Sequence, residues 1–239
     1  MSSIELGELN LKQGKHAVAF DIFFELAQFE LSADAQFALV KMCSEGLLNT
    51  EQVESLMSWL NREVGRGNGY ADYNVGLIHE KGVIGGAPDF KKAAEYYTKA
   101  INEEVVDAFC NLGNIYITGV GAAQGIPKDI MKGIDLLAKG ADLGSRQAAY
   151  TLGSYYGKGE IIPLDNNKAF YYLTLASLAQ HDQAKRILVI MQHAVKTDYS
   201  KELQEAQVAY QKIQIYDSYI NCCERLDKNS DHQSKGWGR

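Results

Sequence analysis

Apolar residues recur along most of this chain at three- and four-residue spacings, in short blocks broken by glycine or by polar turns, which is the pattern of amphipathic helices. Few segments alternate apolar and polar positions, and the chain holds only 3 prolines, so helix is expected over strand throughout. One block sets the period. ADYNVGLIHEKG, opening at Ala71, returns in register as DAFCNLGNIYITG from Asp107 and QAAYTLGSYYGKG from Gln147, and more loosely as DAQFALVKMCSEG from Asp34 and DQAKRILVIMQHA from Asp182. The opening alanines Ala35, Ala71, Ala108, Ala148 and Ala184 are 36, 37, 40 and 36 residues apart, a period that predicts a solenoid of helical pairs.

Each block predicts a first helix, joined through a glycine-rich loop to a second. The second helices read DFKKAAEYYTKAI from Asp89, KDIMKGIDLLAKGA from Lys128 and DNNKAFYYLTLASLA from Asp165. An aspartate at or near each start is placed to accept from the free amides of the first turn and to oppose the positive helix end. Small residues, Ala100, Gly140 and Ala176, stand eight before the next opening alanine and predict close helix approach. Gly76, Gly113 and Gly153 fall inside first helices, where glycine costs about 1 kcal/mol against alanine and so implies a packing reason. Gly82, Gly119 and Gly159 fall at the ends, where a left-handed residue is often needed.

Residues 1–34 predict a degenerate pair, with a short helix from Ile4 to Lys12 and a second from Lys15 to about Leu31 that buries Phe20, Phe23, Phe24 and Ala27. Repeats are expected over 35–194, starting near 35, 71, 108, 148 and 184. A capping helix is expected over 195–228, covering the last apolar face as a terminal repeat requires, and a mobile polar tail over 229–239.

These residues resemble the Sel-one-like repeat family, a relative of the tetratricopeptide repeat. The pattern is carried by Ala108, Leu112, Gly113, Tyr116 and Gly119, and by Ala148, Leu152, Gly153, Tyr156 and Gly159 with Lys168, Ala169 and Tyr172. The unit at 71 departs with Val75 for leucine and His79 for tyrosine, and the outer units with Val40, Cys43 and Val189. The resemblance implies an all-α, right-handed α-solenoid of helix-turn-helix repeats with helical caps. It also implies a non-catalytic adaptor or scaffold that holds a protein or peptide partner on its concave face, in a bacterial setting; a cytoplasmic location is expected instead from the lack of a signal pattern or a bilayer-length apolar run.

Composition narrows this little further. A formal net charge of −6 lacks the basic surface that phosphate neutralisation needs, so no nucleic acid is expected. The opening MSSIELGELNLKQGKHAVAF shows no basic stretch ahead of an apolar core, and no apolar run reaches the roughly 20 residues of a bilayer span, so neither a leader nor a membrane partner is expected. The 4 cysteines, Cys43, Cys110 and the adjacent Cys222 and Cys223, read as reduced thiols rather than a disulfide or metal framework.

Candidate chemistry is sparse. GSYYGKG from Gly153 is one residue short of a phosphate loop and lies within a predicted helix; GVGAAQG from Gly119 has the wrong spacing for a dinucleotide fingerprint. The 5 histidines, His16, His79, His181, His193 and His232, form no i, i+4 metal pair, and His79 reads as a packing residue in a tyrosine slot. No catalytic residue, metal site or cofactor is expected, and the tyrosine pairs read as repeat packing.

The candidate protein-binding positions come from the way similar repeats present their first helices. Two after the opening alanine stand Phe37, Tyr73, Cys110, Tyr150 and Arg186; after the Leu-Gly slot stand Lys41, Leu77, Asn114, Ser154 and Ile190. Aromatics and arginine there suit a binding hot spot. The expected partner is a protein or peptide. A secreted effector or toxin neutralised by an immunity-like chain is one version, and the acidic balance would suit a basic effector. The alternatives are a small-ligand-binding or enzymatic solenoid and a self-assembling structural subunit; a monomer is favoured.

Overall fold

The computed structural model describes residues 2–29, 32–194 and 198–214. Among them every regular element is helical. The described residues fall into two compact units, divided between Gly133 and Ile134. The first holds α1 (Ser3–Lys12), α2 (His16–Phe29), α3 (Ala33–Ser44), α4 (Thr50–Val64), α5 (Gly69–Glu80), α6 (Phe90–Asn102) and α7 (Asp107–Thr118), and α8 (Ile130–Asp142) begins there. The second holds the rest of α8, then α9 (Arg146–Lys158), α10 (Asn166–Leu178), α11 (Asp182–Ala194) and a helical stretch over 200–214. Leu31, Cys222, Cys223, the rest of the expected cap beyond 214 and the 229–239 tail lie outside the described residues.

The three central loops share one closure. The N–H of Asp89, Asp129 and Asp165 donates to the carbonyl of His79, Tyr116 and Tyr156 at 2.9, 2.9 and 3.0 Å. The same aspartates then accept, through Oδ1, from the N–H of Lys92, Lys132 and Lys168 at 3.0, 2.9 and 3.0 Å. One residue thus fastens the loop to the first helix and satisfies an orphan amide of the second. Gly119 and Gly159 end α7 and α9 in the left-handed conformation at φ 72° and 68°.

Interior glycines set how closely the paired helices approach. A Cβ on Gly76 would lie 2.7 Å from Tyr97 Cε1, and one on Gly153 would lie 2.8 Å from Leu173 Cγ. Between α7 and α8 the roles are reversed: a Cβ on Gly133 would meet Ile117 and, at 2.6 Å, the carbonyl of Gly113. The cores that result are aliphatic and aromatic. In the first unit Phe23, Leu39, Met42, Leu56, Leu60 and Ile78 are buried together, and in the second Ala149, Phe170, Leu173, Ala176 and Ala184.

The 40-residue repeat has a use for its longer loop. Gln124, in a 3-10 turn over Ala122–Gln124, donates from Nε2 to the Pro88 carbonyl at 2.9 Å and accepts through Oε1 from the Lys91 N–H at 3.2 Å. The added loop residues reach the start of α6 in the preceding repeat and tie the two together.

Candidate functional site

The expected binding positions separate by exposure. In the first unit Phe37 of α3 is 56% exposed and Lys41, one turn on, is exposed beside Glu45 at 4.0 Å. Tyr73 and Leu77 of α5 are half-buried. Tyr73 packs on Tyr97 with ring centroids 5.8 Å apart, and burial pushes its hydroxyl pKa well up, so it is part phenol of the core and part surface. Cys110 corrects the expectation. It is only 2% exposed, and Asn114 Nδ2 donates to its Sγ at 3.6 Å, so the thiol belongs to the core and not to a partner surface. The physical reason is size: a side chain ending at Sγ stops inside the helix interface that a tyrosine at the same position would overreach.

In the second unit Tyr150 is half-buried and its ring stacks on His181 at 4.1 Å with a 14° interplanar angle. Ser154 is half-buried with an Oγ that has no hydrogen-bond partner among the described residues. Arg186 and Ile190 of α11 are exposed. Within each unit, then, the accessible candidates are Phe37 and Lys41, and Arg186 and Ile190; Tyr73, Leu77, Asn114, Tyr150 and Ser154 divide their surface between core and solvent.

Two polar constellations escape the sequence reading. Tyr97, fully buried on α6, donates to Glu80 Oε2 at 2.6 Å and accepts from Asn111 Nδ2 at 3.1 Å, joining α5, α6 and α7. Burial, and then the Glu80 carboxylate, push the Tyr97 pKa far up, so it stays a neutral donor. One repeat earlier in register, Asn74 Nδ2 donates to Gln36 Oε1 at 3.2 Å, both residues being buried. Asn74 and Asn111 each stand three after an opening alanine, a signal that a repeat alignment carries and a propensity reading does not. These pairs hold successive repeats in register.

Stacked aromatics and lysine–ring contacts recur within the repeats. His79 lies against Tyr96 at 5.8 Å and Tyr156 against Tyr172 at 6.0 Å, while Lys132 Nζ sits 4.0 Å above the Tyr116 ring and bonds its hydroxyl at 2.8 Å. Burial, followed by the Lys92 charge, holds the His79 imidazole below its ordinary pKa, which fits a neutral packing residue. In the second unit a groove of about 620 Å³ is walled by Leu143, Leu175, Val208 and Ile213 with Asp142 and Lys212 at its rim. Among the described residues no group of three or more acidic, histidine or cysteine side chains is placed to hold a metal ion, and no helix is long and apolar enough to cross a membrane.

Stacked helical pairs with a shared loop closure and a polar lock between repeats define a helical-repeat protein of the tetratricopeptide-like class. The repeat is Sel1: the Sel1 repeat model matches residues 69–104, 106–145 and 146–181, so this stretch carries three Sel1 repeats. The Sel1 repeat protein of Oxalobacter formigenes shares the fold at a TM-score of 0.55 and 20% identity, over 87% of this chain and 84% of that one. A putative Sel1 repeat protein of Klebsiella pneumoniae aligns at a TM-score of 0.43 and 21% identity, over 80% of this chain and 91% of that one. Cytochrome c oxidase assembly factor 7 of Xenopus tropicalis is 33% identical over 98 residues, which is 41% of this chain and 41% of the length of that relative. Sel1 repeats are in general protein–protein interaction modules of a typically non-catalytic fold.

Proposed function

We propose that this chain is a non-catalytic binding module that holds a protein or peptide partner on the exposed faces of its first helices. The observation that carries the reading is Phe37: a phenyl ring 56% exposed on α3, at a repeat position where the half-buried Tyr73 and Tyr150 also keep part of their aromatic area at the surface. An exposed aromatic is the side chain that contributes most to a hot spot when a partner covers it. Lys41, one turn further along α3, supplies charge at the margin of such a contact. The partial likeness to a cytochrome c oxidase assembly factor supports the same class of role. Neutralisation of a secreted effector is a narrower version with the same surface.

Tyr73 and Tyr150 are poor probes, because each also packs on a core or capping ring. Phe37→Ala and Arg186→Glu are clean ones. Partners captured from the native host on the purified chain, identified by mass spectrometry and then measured by calorimetry, should lose at least about tenfold in affinity for Phe37→Ala, the size of a hot-spot truncation. The melting transition of that variant should stay within about 0.5 kcal/mol of wild type. A stoichiometric partner bound equally well by wild type and both variants would sink the reading.

A further inference from the structure

Helix α11 is started differently from its counterparts. Before three of the other four opening alanines the residue three back caps the first helix of its repeat: Ser32 Oγ accepts from the Ala35 N–H at 3.2 Å, Asn68 Oδ1 from Ala71 at 3.3 Å and Ser145 Oγ from Ala148 at 3.2 Å, while before Ala108 that place is Val105 and α7 starts with no side-chain cap. None of these acceptors titrates. At the same place before Ala184 stands His181, and its Nδ1 accepts from the Ala184 N–H at 3.3 Å. Its carbonyl accepts the first helical bond from Lys185 at 3.2 Å, so it is the N-cap residue in both respects.

An imidazole can do this only when neutral and with its proton on Nε2, because a backbone N–H must find a lone pair on Nδ1. Nε2 lies 3.4 Å from Gln147 Oε1 on α9, an acceptor for that proton, and the ring lies flat on Tyr150 of the same helix. Adding a proton puts an N–H on Nδ1 opposite the Ala184 N–H, so the cap becomes a repulsive contact. It also sets a positive charge at the positive end of α11.

We propose that His181 is a proton-sensitive latch: neutral, it fastens the first turn of α11 to α9, and mild acid releases that turn. Several charges face the ring. Arg146 of α9 opposes protonation and Asp182 of α11 favours it; Lys185 is engaged with Asp182 at 3.5 Å and with Gln180 at 2.6 Å. Burial, and then Arg146, hold the imidazole below its ordinary pKa. The folded state therefore takes up a proton less readily than the unfolded one. The stabilisation by the latch is complete above the ordinary histidine pKa of about 6.5 and falls away as pH drops from there toward the lower folded value. Arg186 and Ile190 lie on α11, so release of its first turn alters the surface that carries them.

Amide hydrogen exchange of Ala184 by NMR, corrected for intrinsic rates and compared at pH 7.5 and 5.5, tests this on the full chain. Wild-type protection should fall severalfold at pH 5.5, as the unfolded and released forms take up the proton that the latched form resists. His181→Asn keeps an acceptor at the Nδ1 position and cannot titrate, so its Ala184 protection should be the same at both pH values. His181→Gln moves the amide toward the Nε2 position and should lose protection at both. Wild-type protection that does not change with pH, an equal fall in His181→Asn, or full protection in His181→Gln would each overturn the latch.

Discussion

At position 153 the difference between glycine and alanine is one methyl group, and Leu173 decides its sign. The added carbon would stand 2.8 Å from Leu173 Cγ, 3.0 Å from Leu173 N and 3.2 Å from the Ala169 carbonyl; two of these are backbone atoms that cannot swing aside. Gly153→Ala is expected to destabilise by about 1–3 kcal/mol through overpacking, more than its helix propensity restores. Gly157, four residues along the same helix, meets only Ala169 Cβ at an ordinary 3.5 Å. Gly157→Ala should therefore stabilise, by about 0.5 kcal/mol. Urea titrations of the two variants check both signs at once. A second residue-scale test is Tyr97→Phe. Removing its hydroxyl leaves the Asn111 amide and Glu80 without their shared partner inside the first unit, and the cost should be about 1–3 kcal/mol in the same assay.

At the scale of an element the aspartate caps carry the argument. The N–H of Lys92, and then the Lys92 charge, draw the Asp89 carboxyl below the ordinary carboxylate range. Because the folded pKa is the lower one, the contribution of this cap is present above the ordinary aspartate pKa of about 3.9 and is lost as pH falls through the folded value. Asp89→Asn keeps the acceptor and removes the charge. Wild type should be the more stable at pH 7, and that advantage should shrink steadily as pH falls below about 3.9, read from urea midpoints by circular dichroism. These elements were legible in the sequence because each signal is local. A glycine past an apolar block, an aspartate at a second-helix start and a fixed period each report on backbone within a few residues. Cys110 and the Tyr97–Glu80–Asn111 lock were not legible for the opposite reason. Whether a side chain two after the alanine reaches solvent depends on its length against the neighbouring helix, and the lock needs three helices from two repeats to converge. His181 stands between these cases: its role shows once Ser32, Asn68 and Ser145 are aligned with it, and only then.

At the scale of the whole molecule the relevant quantity is charge, since a repeat fold leaves the partner to its surface. With a formal net charge of −6, the chain attracts cationic partners over a Debye length of about 8–10 Å at ordinary salt. A repeat surface of this kind gains on-rate from such a field while its affinity rests on packed anchors such as Phe37. The two contributions can be told apart by salt. If the partner of the proposed surface is basic, raising sodium chloride from 50 to 500 mM should slow association by about tenfold or more and leave dissociation nearly unchanged in surface plasmon resonance. Phe37→Ala should do the reverse, speeding dissociation at every salt concentration. A salt effect confined to dissociation would place the charges inside the contact instead of around it.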